Sequence, residues 1–115
     1  MDSGHEKVQI GTTDPSLALI VGRLVAAFHP EKVYLFGSHA RGEAGPDSDY
    51  DLMLIMPDTA PPDLLDPRLA YKVLRGTGIA ADVLLWRRAN FERRLHLRAS
   101  LPATIEAEGK ILYAA

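Results

Sequence analysis

The chain has 115 residues, no cysteine and a formal net charge of -2. That length suits one domain able to bury roughly two thirds of its unfolded surface, and 47% hydrophobic against 24% charged residues leaves no case for disorder. Without cysteine there is no disulfide framework and no thiolate metal site, and so small a net charge exerts no overall pull on a long nucleic acid, which is therefore not an expected partner.

Residues 1–12 show little periodicity and read as a loose arm, with the folded domain expected at 13–115. The opening Met1-Asp2-Ser3-Gly4-His5-Glu6 lacks the basic and apolar blocks of a signal peptide. No apolar run reaches the ~20 residues of a bilayer span. A cytoplasmic protein with no membrane partner is the expectation. Asp14-Pro15 then reads as an N-cap followed by proline at the first helical position, where its missing N–H costs nothing. Leu17, Ile20, Val21, Leu24, Val25 and Phe28 recur at the spacing of one helical face, which predicts a core-packing helix that Pro30 stops near His29.

The short apolar run Val33-Tyr34-Leu35-Phe36 follows, then Gly37-Ser38, a turn-rich stretch from His39 to Ser48, and Asp49-Tyr50-Asp51 leading into Leu52-Met53-Leu54-Ile55-Met56. This reads as strand, turn, short helix or loop, strand. Side chains alternate along a strand, so Asp49 and Asp51 share a face with Cα atoms about 6.5 to 7 Å apart. Such a pair grips divalent cations, or else sits at a solvated strand end where like charges cost little. At Gly37 the backbone is free to approach a ligand, and the following amides and Ser38 hydroxyl suit a phosphate.

A strand, Gly-Ser, a ten-residue spacer and Asp-x-Asp in a second strand together resemble the DNA polymerase β-like nucleotidyltransferase superfamily, in particular its minimal nucleotidyltransferases. The resemblance implies a third carboxylate on a neighbouring strand, and Asp82 in Ile79-Ala80-Ala81-Asp82-Val83-Leu84-Leu85-Trp86 is the candidate. Taken alone, that acid also fits a bulge or a sheet edge. Arg41 is placed near the site by the resemblance, to meet a phosphate or to pair with Asp47 or Asp49 as structure. His39 departs from the expected residue type and is assigned no catalysis.

Pro57-Asp58-Thr59-Ala60-Pro61-Pro62 is too proline-rich for regular structure. A second helix is expected from Asp66-Pro67, burying Leu69, Ala70, Val73 and Leu74, and Gly76-Thr77-Gly78 turns from it into the Asp82 strand. Lys72 and Arg75 read as exposed. Five arginines lie between Arg87 and Arg98, either a solvated face or a docking surface for an acidic protein or an RNA end. Asn90 is the expected N-cap of the helix there, with Phe91 and Leu95 as its apolar seam. A boundary near Ser100 to Pro102 opens a last helix, Gly109 closes it, and a short terminal strand follows.

The expected fold is α/β (α+β): the nucleotidyltransferase fold, one domain with a small mixed sheet backed by helices. By resemblance, Asp49 and Asp51 hold two ions, Asp82 completes the one beside the acceptor, and Gly37-Ser38 binds the departing phosphates. Hard oxygen ligands suit Mg²⁺ or Mn²⁺, with ATP as the nucleotide substrate. Relatives that modify antibiotics or RNA carry extra domains for the acceptor, so the acceptor hydroxyl is expected on another protein. Minimal nucleotidyltransferases resemble antitoxins paired with small helical HEPN-type proteins. Two other readings stand beside transfer of AMP to such a partner: a catalytically silent module that neutralises or scaffolds it, and a homodimeric enzyme acting on a small molecule.

Overall fold

The structure, a computed structural model, describes residues 9–115. Its elements run α1 (Pro15–Phe28), β1 (Lys32–Phe36), α2 (Gly37–Arg41), β2 (Tyr50–Met56), α3 (Pro67–Leu74), β3 (Ala81–Arg87), α4 (Arg88–Arg93), α5 (Leu101–Glu108) and β4 (Lys110–Ala114). The four strands form one mixed sheet in the order β3-β2-β1-β4. β1 is antiparallel to β2 and to β4, while β2 and β3 run parallel.

Local chemistry explains most boundaries. Asp14 caps α1, its Oδ1 accepting the Ser16 amide at 2.9 Å. His29 ends that helix in the left-handed region, φ 52°, with its amide on the Val25 carbonyl. α3 starts on the Asp66 cap and α5 on Ser100, whose Oγ accepts the Ala103 amide at 3.2 Å. A turn of 3-10 helix, Pro62–Leu65, occupies the end of the proline-rich stretch where no regular structure was expected. Asn90 is not a cap. α4 begins two residues earlier, and Asp58 takes the Ala89 amide at 2.9 Å from a loop 31 residues away. Asn90 instead accepts from Arg93 of its own helix and from Arg94 just after it.

The sheet separates two apolar layers. On one face α1 and α3 pack over Val33, Leu35, Leu52, Leu54, Val83 and Leu85. On the other, Phe91 of α4 and Ile105 of α5 cover Tyr34, Met53 and Ile55, with Phe91 and Tyr34 stacked at 5.8 Å between ring centroids. Strand alternation assigns every residue of β2 to one layer or the other, and Asp51 belongs to the second layer with Met53 and Ile55. Residues 1–8 of the expected arm lie outside the described residues. The following residues lie against the fold: Gly11 donates its amide to the Leu112 carbonyl at 2.7 Å, and Ile10 packs on the first core layer. No helix of the described residues is long and apolar enough to cross a membrane.

Candidate active site

The open end of the second layer holds the acids. Asp51 sits one residue into β2, opposite Phe36 of β1 and in register with Asp82 of β3. Neighbouring strands are ~4.8 Å apart, so the Asp51 and Asp82 side chains leave the sheet side by side. Asp49 precedes the strand by one residue. Asp51 is half-buried, whereas Asp49 and Asp82 reach solvent. Burial first, then the charges of Asp82 and Asp49, push the Asp51 carboxyl above its ordinary range, and His39 and Arg41 offset this only in part. Asp82 and Asp49 therefore both act on Asp51 at this strand end.

Gly37 lies against them. Its φ of 73° is a left-handed conformation, and a Cβ placed on it would collide with the Asp51 carboxylate. Backbone geometry and space thus both demand glycine at this position. Ser38 follows in α2, and no hydrogen bond among the described residues occupies its hydroxyl. Arg41 pairs with Glu43 at 2.9 Å and lies 3.8 Å from Glu108 of α5, in place of the Asp47 or Asp49 considered as structural partners.

Behind the acids is a brace that no local pattern in the sequence announces. The ring of Tyr50, between the two acids, points to the opposite side of β2, where it stacks on His39 with centroids 4.1 Å apart. Tyr50 donates its hydroxyl to Asp14 Oδ2 at 2.6 Å. His39 Nε2 lies 3.0 Å from the Ser48 carbonyl, which can only accept, so this nitrogen carries the proton. Asp14 is held below its ordinary range chiefly by the Tyr50 bond, and Tyr50 is pushed up to about 12 chiefly by Asp14. The start of α1, the body of α2 and the start of β2 are tied together directly behind the carboxylates.

This arrangement coincides with a family assignment. The chain matches the nucleotidyltransferase domain family over residues 17–111. It belongs to that family. The match spans the Gly37-Ser38 turn, all three acids and the first two residues of β4. No curated protein matches the chain by sequence. Among solved structures, a chain from the crystal structure of a toxin-antitoxin with AMP-PNP is similar, with 21% identity, a TM-score of 0.46, and coverage of 84% of this chain and 73% of that one.

Among the described residues, no group of three or more His, Asp or Glu side chains is placed to hold a metal ion. An ion at this strand end would take its remaining ligands from elsewhere. Mg²⁺ is commonly bound through one or two carboxylates with the remaining positions filled by water and substrate phosphates. The uncompensated charge at Asp51 and the purely oxygen donor set fit such an ion.

Proposed function

We propose that this nucleotidyltransferase domain transfers AMP from ATP to a hydroxyl on a small helical partner, as the antitoxin of a HEPN-type pair. The chemistry is carried by one observation, the register of Asp51 against Asp82 with Asp49 just upstream. Asp49 and Asp51 would hold Mg²⁺ or Mn²⁺ together with the nucleotide, and Asp82 would join them on the acceptor side. When bound, the ions lower the acceptor's pKa and neutralise charge on the leaving group. The acceptor oxygen forms a bond to the α-phosphorus as the bond to the bridging oxygen breaks. Pyrophosphate leaves with that electron pair, and the hydroxyl proton passes to water beside the exposed Asp82 carboxylate. Gly37 and Ser38 receive the departing phosphates. Arg41 is available to them, since exposed ion pairs such as Arg41 with Glu43 are worth only about 0–1 kcal/mol and exchange readily. The partner class rests on the resemblance of the Gly-Ser and Asp-x-Asp signature to antitoxin nucleotidyltransferases.

Purified protein incubated with Mg²⁺ and ATP labelled at the α-phosphate, with and without extract from its source, tests this reading. Label is expected on a protein band with the wild type and at least 100-fold less with Asp51→Asn, roughly the loss when a major electrostatic group is removed from a transition state. Equal labelling by the variant would remove the acids from the mechanism. Absence of label beside stable co-purification of a helical protein would favour a module that acts by contact alone.

A further inference from the structure

The outer edge of β3 opens into a cleft of about 370 Å³ with Asp49 and Asp82 at one end and Tyr71, Leu74 and Ile79 at the other. None of the described residues lining it is basic. The positive groups that act on Asp51 are His39 and Arg41, both on α2, which follows β1 on the other side of β2. A polyphosphate therefore belongs on the α2 side, and the β3 cleft suits an uncharged group joined to whatever the acids hold. Its volume lies in the ~300–1,000 Å³ range of small-ligand sites.

Tyr71 marks what that group is. α3 turns Ala70 and Leu74 inward, yet leaves Tyr71 59% exposed at the lip of the cleft. No hydrogen bond or aromatic contact among the described residues engages its ring. An aromatic face next to the aliphatic surfaces of Leu74 and Ile79 is a platform for a planar ring. We propose that this cleft is the nucleoside subsite and that Tyr71 stacks on the base of the nucleotide, whose α-phosphate lies at the acids. The assignment rests on the nucleotidyl-transfer reading.

Calorimetric titration with Mg²⁺ present, comparing the α,β-methylene analogue of ATP with inorganic tripolyphosphate, separates the base from the phosphates without turnover. Tyr71→Ala is expected to weaken the analogue about ten-fold and to leave tripolyphosphate unchanged, while Tyr71→Phe keeps wild-type affinity for both. Tyr71 is exposed, and unchanged melting of the variants establishes that each is folded. The subsite is overturned if Tyr71→Ala binds the analogue as wild type does, or if both ligands weaken together; in either case nucleotide binding itself still stands. Wild-type protein that binds neither ligand removes the nucleotidyl-transfer reading and this subsite with it.

Discussion

Burial and two neighbouring carboxylates raise the Asp51 carboxyl, so its ionisation at neutral pH works against the folded state. The sign follows from linkage: a carboxyl with a raised folded value adds stability below its ordinary 3.8 and loses it as pH rises through the folded value. Asp51→Asn should therefore melt about 2–4 °C higher than wild type at neutral pH, with the difference fading in acid. Titrating Mn²⁺ into both proteins in a scanning calorimeter checks the cause, since wild type should gain stability from the ion and the variant should not. Gly37 makes the opposite trade. Gly37→Ala combines a left-handed backbone cost of about 1–2 kcal/mol with a Cβ driven into Asp51. Urea unfolding should show at least that loss, and metal binding should fall with it because the carboxylate must move.

The elements with local signals stand close to where those signals put them. Asp14-Pro15, Asp66-Pro67 and Ser100 each cap a helix within hydrogen-bond reach of their own side chains, so a few consecutive residues decide each start. α4 broke the pattern because its cap comes from Asp58, on a loop that only the tertiary fold brings near. Asp49 and Asp51 stood out beside Gly37-Ser38 for the same local reason, since Gly-Ser and Asp-x-Asp are consecutive patterns, whereas Asp82 was pointed to by the family resemblance and meets Asp51 only through strand pairing. The Tyr50 to Asp14 bond spans 36 residues and was not. Its pH signature is specific. Asp14 is lowered, so its share of stability is present above 3.8 and lost as pH falls through the folded value. Tyr50 is raised from 10.0 to about 12, so its share holds below 10.0 and disappears as pH climbs through 12. Tyr50→Phe should cost about 1 kcal/mol and remove one late-ionising phenol from an alkaline absorbance titration. Tyr34, buried and donating to Glu106, should remain as the other. A titration unchanged by Tyr50→Phe would mean that the brace is not made in solution.

Across the whole molecule, the mixed sheet was expected but its order was not, because β4 reaches β1 from the far end of the chain and brings α5 onto the second face. That long-range closure also accounts for part of the arginine-rich segment. Arg87 donates to the carbonyls of Asp58 and Ala60, and Arg88 pairs with Glu31, so these two pin α4 in place while Arg93, Arg94 and Arg98 stay exposed. The two faces are unequal: among the described residues, five buried ones form the α4 and α5 layer against nineteen in the α1 and α3 layer. Opening the thin layer exposes less apolar surface than unfolding the chain, so it should occur as a separate, cheaper event. Native-state hydrogen exchange should find α5 amides opening at lower free energy than those of α1. Phe91→Ala removes the stacked ring that ties α4 to β1 and should lower the α5 opening by about 3 kcal/mol. Leu24→Ala, on the other face, should lower global stability by a similar amount yet leave the α5 opening unchanged, because the contacts of Leu24 survive while the thin layer is open. If Leu24→Ala instead speeds α5 exchange as much as Phe91→Ala does, the molecule opens as one unit and the acids lie on a single rigid body.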